Sequence, residues 1–222
     1  CFLTHCATSS ISASVLSGQR LNRSVQSASA GDKPIAVSMG STAASGGLMV
    51  SMAGKRVFAN ASTVTGSIGV RMDIPQIRGL LDKLGLGRQT LTTAPYKDAG
   101  SMLEPLTAEE KAYFQGVLKD MHEQFVDIVA QGRHMDRARA ARLATGKIFT
   151  GREAVELGLV DELGGQQAAH RWLADVCKVP VDQPLLTPPS EDEWWEKSLK
   201  TWFGLDADAL LGRETPAFLY SF

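Results

Sequence analysis

The sequence predicts an α/β fold, and three observations carry that prediction. Short apolar runs alternate with helical patterns from Lys33 to Cys177. Two capping boxes, Thr107 with Glu110 and Thr150 with Glu153, mark helix starts. A small-residue stretch, Gly40 to Ala44, joins one apolar run directly to a helical pattern. The 222 residues, 44% hydrophobic, suffice for one or two domains with a real core.

The elements come in order. Ile35 to Met39 reads as a strand and Gly40 to Ala44 as a turn. Ser45 to Ala53 reads as a helix closed by Gly54. Val57 to Ala59 is a strand, followed by a Gly-punctuated turn and a short strand at Ile68 to Val70. Ile74 to Leu84 is helical and ends near Gly85, Gln89 to Thr92 is a strand, and Pro95 to Glu104 is aperiodic loop. Thr107 to Ala130 is the strongest helix: Tyr113, Phe114, Val117, Leu118, Met121, Phe125, Ile128 and Val129 recur at three and four, and Gly132 stops it. Asp136 to Ala144 forms a second helix. The helix opened by Thr150 stops at Gly158, Leu159 to Asp161 is a short strand, and Gln166 to Cys177 is a helix.

The flanks read differently. Residues 1–32 are Ser/Ala-rich and take no firm assignment, which makes them a degenerate or truncated N-terminal segment. The first residue is Cys1, as expected of a fragment or a processed product. After Pro180 the pattern is lost, and Trp194, Trp195 and Trp202 punctuate a tail of undefined structure. The division is therefore 1–32, a domain at 33–178, and a tail at 179–222.

Composition excludes several classes of function. Net charge is −1 with scattered basic residues, so no nucleic-acid footprint is present. No run of 18 uncharged apolar residues exists to span a membrane. Cys1, Cys6 and Cys177 are too few for a disulfide framework. No Cys-x-x-Cys or His-x-x-x-His spacing supports a metal site, and no cofactor is implied. Gly85-Leu86-Gly87 follows a helix rather than a strand, so it is no dinucleotide fingerprint, and Gly146-Lys147 lacks the rest of a phosphate loop.

What remains is nucleophile chemistry. In Ala44-Ser45-Gly46-Gly47 the serine sits where a strand hands over to a helix, beside N–H groups that have no helical partner. A hydroxyl next to free donors is what acyl transfer needs. Serine requires a base, and His5, His122, His134 and His170 all read as packing or surface residues. Lysine serves when desolvation favours its neutral form. Lys97, in the aperiodic segment Ala94 to Ser101, is either such a base or a solvated loop lysine. Asp98 beside it favours the charged form if its carboxylate approaches. Ser67, in Thr65-Gly66-Ser67-Ile68-Gly69, is either part of a tight turn or a hydroxyl that holds a lysine amine.

These blocks resemble a known family. Lys33 to Val70 is similar to the core of the signal peptide peptidase A (protease IV) family of serine–lysine proteases. The resemblance continues in order through Pro95 to Ser101, Leu106 to Glu110, Gly146 to Gly151 and Gly158 to Gly164, and covers about residues 33 to 175. It implies that Ser45 is the nucleophile, Lys97 the base, as in single-repeat members, and Ser67 the residue that orients the lysine. It implies a Clp-protease/crotonase-like spiral of ββα units with added C-terminal helices. It also implies homo-oligomeric rings, and substrates that are released signal peptides and unfolded apolar segments. The location implied is the bacterial envelope, on the extracytoplasmic face of the inner membrane, with an anchor ahead of the protease domain.

The start departs from the family pattern. The family has a strand ending in Ser-Pro-Gly-Gly, whose glycines complete the oxyanion hole. The matching place, Ala7 to Ile11, reads Ala-Thr-Ser-Ser-Ile, and the family's first strands are expected to be missing. Gly46 is then the remaining oxyanion donor. Two functions are compatible with these residues: a Ser–Lys endopeptidase, or a scaffold subunit that keeps the fold without the chemistry. A hydratase on the same fold lacks the pair of acid/base carboxylates it needs.

Overall fold

The computed structural model describes residues 2–6 and 33–182. The chain divides into two units, Cys1–Val181 and Asp182–Phe222, and the first contains both sheets and all the described helices. The segment Ala7 to Ile11 and the Trp-rich tail lie outside the described residues.

Two sheets and six helices form the described α/β unit. One sheet is parallel throughout, in the order β1 (Phe2–Cys6), β2 (Ile35–Met39), β4 (Arg56–Ala59) and β7 (Glu162–Leu163). The other has the order β3 (Thr42–Ala44), β5 (Val64–Gly66) and β6 (Ile148–Thr150), with β3 parallel and β6 antiparallel to β5. The helices are α1 (Gly46–Ser51), α2 (Arg78–Leu84), α3 (Ala108–Gly132), α4 (Arg137–Leu143), α5 (Gly151–Leu157) and α6 (Gln166–Cys177). Cys177 is disulfide-bonded.

All five residues of β2 are buried, as in a parallel strand covered on both faces. Alternation splits them between two layers. Ile35, Val37 and Met39 join Leu48 and Met49 of α1 and Phe125, Val126 and Val129 of α3. Ala36 packs with Phe58 of β4 and with Ala169 and Leu173 of α6. Only the C-terminal half of α3 reaches this core. Its N-terminal half projects past it, with Tyr113 and Val117 exposed.

Both capping boxes form. Thr107 accepts from the Glu110 N–H and Thr150 from the Glu153 N–H, and each glutamate carboxylate accepts from the backbone N–H of its cap residue. Gly151 follows Thr150 because nothing larger fits: a Cβ there would lie 2.0 Å from the Asn60 carbonyl oxygen.

Several expected boundaries move. Gly40 to Ala44 is not all turn: Thr42–Ala44 is β3, drawn into the second sheet by pairing with β5. The strand expected at Ile68 to Val70 lies instead at Val64–Gly66, because positive φ at Gly66 (81°) and Ser67 (53°) ends it there. Gln89 to Thr92 forms no strand; it has no partner to pair with, and Leu91 is 90% exposed. The strand expected at Leu159 to Asp161 lies at Glu162–Leu163, since Leu159 and Val160 are buried in the turn that closes α5. A first strand is present after all, as Phe2–Cys6 pairs along its whole length with β2.

One polar joint ties these pieces together. Asp161 accepts the Val57 N–H at 2.7 Å and the Arg133 guanidinium at 2.6 and 3.0 Å, while its own N–H donates to the Val57 carbonyl. Arg133 Nε also donates to the Gly158 carbonyl. The joint links β4, the C-terminus of α3 and the turn after α5. Burial pushes the Asp161 carboxyl up, but the Arg133 hydrogen bonds, the Val57 N–H and the charges of Arg133 and Arg56 outweigh it and hold it below its ordinary value.

Stability tied to Asp161 is fully present above the ordinary aspartate pKa of about 4 and drains as pH falls through the lower folded value. Thermal melts from neutral to acid pH will therefore show Asp161→Asn less stable at pH 7, with a shallower acid-side decline than the parent chain. Gly66→Ala combines a left-handed φ with a Cβ placed 2.6 Å from Phe149 Cδ2 and 2.8 Å from the Lys147 carbonyl. Urea unfolding will show it destabilised by at least about 2 kcal/mol.

Candidate active site

β3 and β5 build the site. Their register pairs Ala44 with Gly66, so Ser45 and Ser67 leave the ends of adjacent parallel strands at the same level. The Ser45 N–H donates to the Gly66 carbonyl at 2.8 Å, and the Ser67 N–H donates to the Lys147 carbonyl at 2.7 Å. Thr65 Oγ1 donates to the Ala43 carbonyl at 2.8 Å in a fully buried contact, which locks the two strands just beneath the serines. The structure thus brings together two of the residues expected to act together.

Ser45 is the N-cap of α1, yet it does not behave as one. An N-cap serine ordinarily has extended backbone and accepts a helix N–H with its side chain. Here φ is 52° and ψ is −115°, and the side chain caps nothing. A non-glycine residue in this region is strained and persists only where its surroundings hold it. The strand bond to Gly66 on one side and the buried α1 on the other do so. The result is a half-buried serine turned out at a sharp strand-to-helix corner, its Oγ free of hydrogen bonds among the described residues.

The first N–H groups of α1 complete the corner. Gly46 and Gly47 donate to no acceptor among the described residues, while the Met49 N–H already returns to the Ser45 carbonyl. Gly46 is buried and directly follows the serine. These donors are suited to a developing oxyanion.

Lys97 makes no bond to this corner among the described residues. It lies in a run of turns, is exposed, and its backbone N–H donates to the Ala94 carbonyl at 3.1 Å. Among the described residues its ammonium has no hydrogen bond or ion pair, and no bond links it to either serine. Asp98 sits 3.9 Å from Arg88. Lys147, which the sequence marks only as part of an incomplete phosphate loop, is joined to the site through its backbone, its carbonyl accepting the Ser67 N–H at 2.7 Å. It is exposed on the approach to β6. The only signal for it is the β5–β6 pairing, which no local pattern reveals.

Other chemistry finds no support near Ser45. His122 and His170 are half-buried on helices, His134 is exposed just after one, and none bonds Ser45 among the described residues. No group of three or more His, Cys, Asp or Glu able to hold a metal occurs among them. A cavity of about 310 Å³ lined by Lys33, Ile35, Met52, Lys55, Gln131 and His134 lies at the opposite end of β2 from the turn that leads to Ser45.

Comparison with known proteins places the chain. The profile described as Peptidase family S49 matches residues 27–180. A candidate protease of Synechocystis sp. is 38% identical over 149 residues, covering 67% of this chain and 54% of that protein. A candidate signal peptide peptidase SppA of Enterococcus faecium is 34% identical over 182 residues, covering 79% and 52%. The chloroplastic serine protease SPPA of Arabidopsis thaliana is 31% identical over 152 residues, covering 68% and 22%. The chain thus spans about half the length of the first two relatives or less of others. Among solved structures it is similar to ClpP1 of Listeria monocytogenes (11% identity, 70% of this chain and 69% of that one, TM-score 0.40). It is also similar to an enoyl-CoA hydratase of Thermoplasma volcanium (18% identity, 90% and 58%, TM-score 0.40). With a family profile that matches well over half of its residues, the chain belongs to peptidase family S49.

Proposed function

We propose that this chain is a serine endopeptidase that uses Ser45 as nucleophile and Lys97 as base. The observation that carries the reading is Ser45 itself, a strained, uncapped serine at a strand-to-helix corner beside free helix N–H groups. Family membership supports peptidase chemistry, and the motif resemblance supports the dyad.

The chemistry runs in two halves. Ser45 Oγ attacks the scissile carbonyl as neutral Lys97 Nζ takes its proton, and the Gly46 N–H faces the oxyanion. The intermediate collapses to an acyl-enzyme as the lysine returns that proton to the leaving amine. Water, deprotonated by the same amine, then releases the acyl group. Ser67, level with Ser45 on the next strand, orients the lysine amine. The small residues around Ser45 favour small apolar side chains, as in released signal peptides and unfolded segments.

Two further features belong to the proposal. A homo-oligomeric ring agrees with the exposed Leu80, Leu84, Leu86 and Leu91. An envelope location is drawn from the motif resemblance. No described helix is long and apolar enough to cross a membrane, so any anchor is supplied outside these helices.

The exposure of Lys97 favours one alternative, a scaffold subunit with the same fold and no turnover. Cleavage of a fluorescence-quenched apolar peptide separates the two. Ser45→Ala and Lys97→Ala are each expected to lower kcat/KM by at least about a thousandfold, and Lys147→Ala by no more than about threefold. Near-normal activity in Lys97→Ala would sink the dyad, and loss in Lys147→Ala alone would move the base to that residue. A well-folded parent chain that cleaves nothing would leave the scaffold.

A further inference from the structure

Among the described residues, side chains tie the turns that carry Lys97 to their surroundings at Tyr96, at Asp98 with Arg88, and at Ser101, whose carbonyl accepts from Gln76 Nε2 at 3.3 Å. Tyr96 donates from its hydroxyl to Glu109 Oε1 at 2.6 Å. Its ring lies on that of Tyr113, with centroids 5.0 Å apart, and Tyr113 packs on Phe114 at 5.2 Å. Glu109 belongs to the first turn of α3, whose capping box holds that turn in place. A carboxylate there is also favoured by the helix dipole. The tether from Asp98 to Arg88 is a 3.9 Å pair between half-exposed side chains and holds little, and the exposed Gln76–Ser101 bond is long at 3.3 Å.

The remaining contacts agree. Gly100 at the far end of the turns sits against the Phe114 ring, where an added Cβ would meet it at 3.2 Å. The Ile77 N–H donates to the Met102 carbonyl at 2.8 Å, which closes the segment behind. The charged or titratable groups around Tyr96 are Glu109, Glu110 and Tyr113 of α3, and Lys97, Asp98 and Arg88 of the loop side. The Glu109 hydrogen bond, with burial and the charges of Glu109 and Glu110, raises the phenol above its ordinary value, so it stays a donor at neutral pH.

We propose that Tyr96 is the positioning residue for Lys97: by clipping to Glu109 and Tyr113 it fixes, from the rigid start of α3, the backbone from which the lysine reaches Ser45. It touches neither substrate nor reacting atoms. This inference rests on the Ser45–Lys97 reading. It assigns the projecting half of α3 a purpose, as the platform on which the base is mounted.

The test uses the full 222-residue chain and the same quenched peptide. Tyr96→Ala is expected to lower kcat by about tenfold to a hundredfold, since small misplacement of a reacting group costs that much. KM is expected to stay within about twofold, because no substrate contact is lost. Tyr96→Phe and Glu109→Ala each give a smaller loss, Glu109→Gln, which keeps an acceptor oxygen, restores most of it, and the double variant Tyr96→Phe/Glu109→Ala loses no more than either alone. A kcat within about twofold of the parent in Tyr96→Ala, additive losses in the double variant, or a rise in KM alone overturns the proposal. Amide hydrogen exchange at residues 94–101 reads the clip without turnover. Exchange about tenfold faster in Tyr96→Ala is expected, and unchanged exchange overturns the proposal. If exchange quickens while Lys97→Ala keeps its activity, the clip is real but the dyad reading has failed.

Discussion

The candidate site depends on one contact, the parallel pairing of β3 with β5, which ends in the hydrogen bond from the Ser45 N–H to the Gly66 carbonyl. That bond holds Ser45 in a backbone region from which a free serine would relax. It also sets Ser45 level with Ser67. Gly66 is indispensable to it: a left-handed φ and the crowding of Phe149 and the Lys147 carbonyl leave no room for a side chain. The buried Thr65-to-Ala43 bond then fixes the pair of strands relative to each other.

The rest of the fold serves as a mount for that pairing. β2 is buried on both faces and runs straight into the bend at Gly40 and Ser41, which passes the chain from one sheet to the other. α1 leaves the second sheet at Ser45 and buries Leu48 and Met49 against the C-terminal half of α3. Rigidity at Ser45 therefore comes from core packing. Lys97, the base of the proposed dyad, is mounted differently, on exposed turns that Tyr96 clips to the projecting half of α3.

Much of this was legible in the sequence, and the exceptions have physical causes. The capping boxes at Thr107 and Thr150 and the stops at Gly85 and Gly158 are local signals and appear as read. The strand-to-helix handover at Ser45 was likewise readable from small residues followed by Leu48, Met49 and Val50. The strained φ of Ser45 was not, because it is imposed by a partner strand about twenty residues away in the chain. β3 and β6 were missed for the same reason: three-residue strands such as Thr42–Ala44 and Ile148–Thr150 carry no period and exist only through their pairing with β5. Gln89 to Thr92 fails in the opposite sense, since β-prone residues without a neighbouring strand stay unpaired.

Whether Ser45 is an activated nucleophile is tested most directly by covalent trapping. The folded chain is treated with a fluorophosphonate probe and the adduct is mapped by peptide mass spectrometry. The expected result is a single adduct on Ser45, formed much more slowly when Lys97 is replaced by alanine. An adduct on another residue, or none in protein that melts cooperatively, would contradict that role for Ser45.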